Sequence, residues 1–195
     1  WSIVTDGSKV LQQSSTSAEG RAWSKTSSWT DQSVQARVKV TNFNGSNRAL
    51  VCARMLDGNN YYAVAIQSDR LELRKKISGS TTTLASKSMS FSTNTWYTVK
   101  LQVSGSTLTA FVNGTQQLTA TTTGRTSGVA GLIGWKVAVR FDDVVVDDLG
   151  GGSSTPTPTS TSTAGPTPTP TPINPTPTPT GGGTPPSGLV GFATL

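Results

Sequence analysis

Val34, Ala36, Val38 and Val40 alternate with Gln35, Arg37, Lys39 and Thr41, a period of two that puts apolar side chains on one face of an extended strand and polar ones on the other. Val99, Leu101 and Val103 alternate in the same way with Lys100, Gln102 and Ser104, and Leu71 and Leu73 with Glu72, Arg74 and Lys76. Between such runs stand Asn44-Gly45, Asp57-Gly58, Ser78-Gly79, Ser104-Gly105 and Asn113-Gly114, pairs that tolerate positive φ and suit tight turns. Strands joined by tight turns pair antiparallel. No segment carries an apolar stripe of helical period with capping residues, and Ser, Thr and Val dominate throughout. The pattern predicts an all-β protein, an antiparallel two-sheet β-sandwich of the jelly-roll kind.

The alternation stops at Leu149. Gly150-Gly151-Gly152-Ser153-Ser154 leads into Thr-Pro repeats as far as Thr180, followed by Gly181-Gly182-Gly183. All 11 prolines fall between Pro156 and Pro186, whereas all 16 Lys and Arg fall between Lys9 and Arg140. Three segments are therefore expected: a sandwich over 1–149, a disordered Gly/Thr-Pro linker over 150–186, and a short apolar segment over 187–195. Alternating proline favours polyproline II, so the stiff part of the linker spans on the order of 80 Å at ~3.1 Å per residue. A spacer of that kind implies a second domain. Residues 187–195 read as the first strand of that domain without its partners, since nine residues cannot bury a core of their own. Trp1-Ser2-Ile3-Val4 reads as a strand already under way, as in a mature fragment.

Composition then removes whole classes of chemistry. There is no histidine, so the commonest general base, the commonest transition-metal ligand and every Ser-His or Cys-His pair are missing. The single cysteine, Cys52, excludes an intrachain disulfide and the multi-thiol zinc spacings; inside Leu50-Val51-Cys52-Ala53 it reads as an inert small apolar residue. The ten acids also precede Gly150, so the net charge of +6 belongs to the sandwich and favours an anionic partner.

Three stretches carry a resemblance. Asp57-Gly58-Asn59-Asn60-Tyr61-Tyr62, then Trp96-Tyr97-Thr98-Val99-Lys100-Leu101-Gln102-Val103 with Phe111-Val112-Asn113-Gly114, and last Phe141-Asp142-Asp143-Val144, resemble the concanavalin-like (laminin-G-like) jelly-roll modules appended to bacterial glycoside hydrolases and polysaccharide lyases. The resemblance implies a carbohydrate-binding module that does no chemistry. Gly188-Leu189-Val190-Gly191-Phe192-Ala193-Thr194 is similar to the opening of a bacterial pectate lyase of the parallel β-helix type. It implies a secreted, extracellular protein and a ligand in plant pectin. None of that enzyme's catalytic residues has a counterpart here, so the segment in hand is expected not to be an enzyme.

Strand parity nominates one binding face. With Val51, Ala53 and Met55 inward, Cys52 and Arg54 point out; with Tyr62, Val64 and Ile66 inward, Tyr61, Ala63 and Ala65 point out. On the same logic Glu72, Arg74 and Lys76 face outward, as do Lys136, Ala138 and Arg140 when Val137, Val139 and Phe141 face inward. Small floor residues between long cationic ones describe a shallow basic groove. Arginine forks suit uronate carboxylates, and an aromatic face suits the apolar side of a sugar ring. The candidates are Arg54, Tyr61, Arg74, Lys76, Lys136 and Arg140, with Asn60 and Glu72 for hydroxyls and Trp135 as a stacking platform whose parity nevertheless matches the core side. Trp23, Trp29 and Trp96 are expected to pack in the core or along edges. The same outward cations also fit a merely solvated surface.

The chemistry expected here requires no cofactor. The resemblance raises structural Ca²⁺, for which Asp142 and Asp6 are the nominated donors, although no EF-hand spacing is present and capping roles compete. The expected partner is acidic plant cell-wall polysaccharide, bound by a monomer, with no nucleic acid and no membrane. Alternatives are a neutral glycan such as fructan or xylan, a protein-binding adhesive domain, a lyase with Lys or Arg as base, and a nucleic-acid binder, the last weakened by the lack of a recognition motif.

Overall fold

The computed structural model describes residues 1–25, 28–150 and 192–194. The strands are β1 (Ser2–Asp6), β2 (Ser8–Gln13), β3 (Glu19–Ser24), β4 (Gln32–Asn42), β5 (Arg48–Asp57), β6 (Asn60–Ile66), β7 (Arg70–Ile77), β8 (Ser80–Ser88), β9 (Tyr97–Ser104), β10 (Thr107–Val112), β11 (Thr115–Thr121), β12 (Val129–Trp135), β13 (Ala138–Asp148) and β14 (Phe192–Thr194). They form two antiparallel sheets in the orders β1-β2-β13-β4-β9-β10-β11 and β14-β3-β12-β5-β6-β7-β8. The all-β two-sheet sandwich expected from the alternation is the observed fold. The linker expected over 150–186 lies outside the described residues beyond Gly150, and in the segment 187–195 only Phe192–Thr194 is described, paired with Ser24–Ala22 of β3.

The inner faces obey the parity read from the sequence. Val34, Ala36, Val38 and Val40 of β4, with Val99, Leu101 and Val103 of β9, meet Val51, Ala53, Tyr62, Val64, Leu71 and Leu73 of the opposite sheet in one core. Each Val or Leu among them contributes about 1.5–3 kcal/mol by leaving water, and each Ala less. Asn44 and Gly45, Ser78 and Gly79, and Asn113 and Gly114 all adopt positive φ, as the turn pairs require. The Asn44-Gly45 turn carries the chain from one sheet to the other, because β4 and β5 belong to different sheets.

A second, smaller cluster forms on the outer face of the β5-β6 sheet: Leu50, Cys52, Met55, Tyr61, Ala63, Ala65 and Ile133, with Trp23 and Val129 against it. Met55 was expected to face inward with Val51 and Ala53. Irregular pairing between Ala53 and Asp57, with Arg54 in the left-handed region at φ 46°, reverses the parity and turns Met55 onto the outer face. There its sulfur fills the space left free by Gly131. The cluster seals Cys52 at 0% exposure, and burial drives its thiol well above the ordinary cysteine range. A thiol-specific disulfide reagent at pH 8 is therefore expected to leave Cys52 unmodified in the native chain and to titrate one thiol after denaturation. Rapid labelling of the native chain would show that the cluster opens.

Three carboxylates anchor loops and strand ends. Asp31 accepts from Gly105 N and Ser104 Oγ, both at 3.0 Å, and its acidity is raised above the ordinary carboxylate chiefly by the Gly105 bond. Asp57 is held low by Asn59 N, and Asp6 by Lys39 and Arg140. A depressed folded-state value means that the stabilisation is complete above the unfolded carboxylate value and is lost as pH falls through the folded one. The melting temperature is accordingly expected to hold steady at neutral pH and to decline below about pH 4. A decline beginning near pH 6 would contradict these assignments.

Candidate functional site

The outer face of the β12-β5-β6-β7 sheet reads as rows of paired residues. Ile133, Leu50, Ala65 and Glu72 stand in one row, Gly131, Cys52, Ala63 and Arg74 in the next, and Tyr61 pairs with Lys76, which pairs in turn with Thr81. Long polar side chains rise at both margins over the apolar floor. They enclose a basin of about 270 Å³ lined by Glu19, Arg48, Leu50, Tyr61, Arg74, Lys76, Gly79, Thr81 and Trp135. Its size falls just below the range of about 300–1,000 Å³ usual for small-molecule pockets.

Tyr61, Arg74, Lys76 and Trp135 of the nominated residues line this basin, and Glu72 joins them beneath Arg74. Trp135 is 36% exposed. Its inward parity, inferred from Val137 and Val139, does not hold: Lys136 takes a positive φ of 54° in the turn from β12 to β13 and resets the alternation, so Val137 is buried while Trp135 stays on the outer face. The Trp135 ring has Arg48 Cζ 5.2 Å from its centroid and Lys136 Nζ 5.5 Å from it, which places Lys136 at the rim. Burial pushes the Tyr61 phenol up, so it stays a neutral hydroxyl at every physiological pH. Lys76 passes 5.9 Å from the Tyr61 ring centroid and donates to Gly58 O at 2.9 Å.

Three nominated residues lie elsewhere. Arg54 is 3% exposed and turned away from the basin, where it donates to Thr30 O (2.5 Å), Arg125 O (2.8 Å) and Asp31 Oδ1 (2.9 Å). The same irregularity that turns Met55 outward removes Arg54 from the face that simple alternation gives it. Arg140 belongs to β13 in the other sheet and donates to Asp6 and Gln12, at 2.7 and 2.8 Å. Asn60 is engaged in holding hairpin tips, donating to Asp57 and accepting from Ser78 N at 3.0 Å, and it does not line the basin.

The nominated calcium donors have protein partners. Asp6 meets Lys39 and Arg140, while Asp142 accepts from Ser8 Oγ at 2.6 Å and lies 3.9 Å from Arg37. Among the described residues no group of three or more His, Cys, Asp or Glu side chains gathers around a point that could hold a metal ion.

Five of the residues lining the basin were not nominated from the sequence: Glu19, Arg48, Leu50, Gly79 and Thr81. Arg48 and Leu50 share the parity of Cys52, so extending that alternation by two steps to the start of β5 exposes them. Glu19, Arg21 and Trp23 alternate with Gly20, Ala22 and Ser24 in a stretch whose Ser content masked the period. Arg21 grips Glu19 through two bonds of 2.9 and 2.7 Å, and its guanidinium lies so close to Gly58 that a Cβ there would overlap it. Gly58 therefore serves close approach, unlike the positive-φ glycines of the other turns. Arg21 and the Asp57–Asn60 turn together cover the Cys52 end of the floor.

Residues 11–148 match the family described as Concanavalin A-like lectin/glucanases superfamily. The chain belongs to that superfamily. Among solved structures, the sandwich is similar to the carbohydrate binding module CBM66 from Bacillus subtilis, with 18% identity, a TM-score of 0.65 and coverage of 76% of this chain and 91% of that one. It is also similar to galectin-Ib of Xenopus laevis (9% identity, TM-score 0.53, 66% and 99% covered) and to the chicken liver agglutinin CG-16 (9%, 0.51, 66% and 99%). At these identities the likeness is one of fold. No curated protein sequence matches the chain.

Proposed function

We propose that this superfamily member is a non-catalytic carbohydrate-binding module whose ligand is acidic plant cell-wall polysaccharide, polygalacturonate in the first instance. The observation that carries the reading is the basin itself, where the Tyr61 and Trp135 rings stand among Arg21, Arg48, Arg74, Lys76 and Lys136, with Glu19 and Glu72 the acids beside them. The open Trp135 face can stack on a sugar ring, while Tyr61, 7% exposed, contributes to the floor and does not serve as the outward stacking face expected of it. The excess of cations favours an anionic chain. The catalytic alternative is disfavoured because both acids at the basin are held in ion pairs, Glu72 with Arg48 and Arg74 and Glu19 with Arg21, and so are poor candidates for a proton-donating acid.

In this reading the module is secreted, and the Thr-Pro segment tethers it to a pectate-lyase-type domain. It raises the local concentration of that partner on its substrate and leaves the chemistry to it. No metal is called upon. A neutral glycan is the second reading, and one observation favours it: Glu72 and Glu19 already engage three of the basin's arginines, an arrangement of donors and acceptors that suits vicinal hydroxyls.

Binding of the chain to polygalacturonate, highly methyl-esterified pectin, levan and cellulose, by calorimetry at two salt concentrations, separates the two. Salt-sensitive binding to polygalacturonate that weakens with esterification supports the acidic ligand; salt-insensitive binding to levan or cellulose supports the neutral one. Unsaturated product released from polygalacturonate by residues 1–149 would overturn the non-catalytic reading.

A further inference from the structure

Glu72 sits 7% exposed between two basin arginines, and a single oxygen, Oε2, accepts from Arg74 Nη1 at 2.9 Å and from Arg48 Nη1 at 3.3 Å. A guanidinium binds a carboxylate best through two parallel N–H bonds to its two oxygens. Here each arginine gives Glu72 only one, and Arg48 Nη2 turns to the Ser46 carbonyl at 3.4 Å, so neither fork closes on the carboxylate. Arg48 Nε is buried without any partner, and the rest of that side chain is clasped between the Trp135 face and Glu72. By contrast, Arg21 spends a complete fork on Glu19 and has less left to offer a ligand.

Given the glycan-binding reading above, we infer that Glu72 is a specificity-determining residue of the basin: an internal carboxylate standing where a uronate carboxylate would pair with Arg48 and Arg74. It orients both guanidinium groups and repels a second carboxylate brought to them. Because two like charges a few ångströms apart in a half-buried site repel strongly, Glu72 holds affinity for a fully charged chain down and narrows the gap between charged and esterified glycans. Hydroxyls and esters meet the half-used forks without that repulsion. Choice of ligand is thereby set inside the protein, by a counter-ion, and not by the number of cations at the rim.

The test is Glu72→Gln in the full chain, with binding to polygalacturonate and to highly methyl-esterified pectin measured at low and moderate salt. Removing the charge while keeping the shape is expected to tighten polygalacturonate binding by about tenfold, with a steeper salt dependence, and to leave esterified pectin within about twofold. Glu19→Gln changes net charge equally but frees only Arg21, and its gain is expected to stay below about threefold. Equal gains from the two variants would mean long-range charge and overturn the role of Glu72. So would unchanged or weakened polygalacturonate binding by a folded Glu72→Gln chain. If that variant does not fold, Glu72→Thr removes the charge with a strand-favouring side chain, and the same gain confined to polygalacturonate is expected; no gain overturns the inference. A chain that binds no glycan with or without the substitution overturns the basin reading as well, whereas binding that ignores the substitution overturns only the role of Glu72.

Discussion

Arg54→Ala is expected to cost about 3–4 kcal/mol of stability and to lower the melting temperature by roughly 10 °C, the larger of the two strongest effects foreseen for this chain. The Arg54 side chain is 4% exposed and donates to the Thr30 and Arg125 carbonyls and to the Asp31 carboxylate. Those acceptors come from two separate segments, Thr30-Asp31 and Arg125, and Asp31 in turn holds Ser104 and Gly105 of the β9-β10 turn. Truncation leaves the two carbonyls short of donors, takes a partner from the part-exposed Asp31 carboxylate, and opens a void where the buried Arg54 side chain stood. Arg54→Lys keeps the charge without the planar fork and is expected to lose about half as much. Arg54→Gly relieves the left-handed backbone at φ 46°, and so should be less damaging than Ala by about 1 kcal/mol although both lack the side chain. Urea unfolding followed by tryptophan fluorescence measures all three; a loss below about 1 kcal/mol for the alanine variant would show that the network is not cooperative.

Arg54 also marks where the sequence is and is not legible. Alternation on β4, β9, β6 and β7 gives the correct inward face throughout, because a buried sheet face tolerates no slip of one residue. From that came Tyr61, Arg74 and Lys76 as neighbours on one surface, which the register confirms. Alternation fails where the strand itself breaks step. Around Arg54 the pairing shifts between Ala53 and Asp57, so Arg54 and Met55 exchange the faces expected of them, and nothing local in Arg54-Met55-Leu56 announces it. At Lys136 the turn resets the parity of Trp135 by the same kind of event. Arg140 had the right parity but the wrong sheet, since which strands become neighbours depends on the order β13-β4-β9 that no short-range pattern encodes. Arg48 was legible and simply lies two outward steps, four residues, before Cys52 in the alternation that was followed.

Trp135→Ala is expected to weaken glycan binding about tenfold or more while leaving the fold intact. At 36% exposure the ring lies at the end of β12, outside both hydrophobic clusters, so its removal costs stability of only about 1 kcal/mol. In the basin the loss is larger. The ring offers the flat apolar face on which a sugar stacks, and it braces Arg48, whose guanidinium carbon lies 5.2 Å from its centroid. Without it Arg48 gains rotamer freedom that a ligand must remove again, so stacking and pre-organisation are lost together. Trp135→Phe keeps a smaller ring and should lose about threefold. The control is Trp96, whose ring lies against Arg37 Cζ and Lys39 Nζ, each 4.8 Å from its centroid, and so offers a basic aromatic patch away from the basin. Affinity electrophoresis in polygalacturonate compares the two substitutions directly. Retained binding by Trp135→Ala with loss in Trp96→Ala would move the site to that patch; the opposite result fixes it at the Trp135 basin, where an open aromatic face and the Arg48 and Arg74 guanidinium groups stand together.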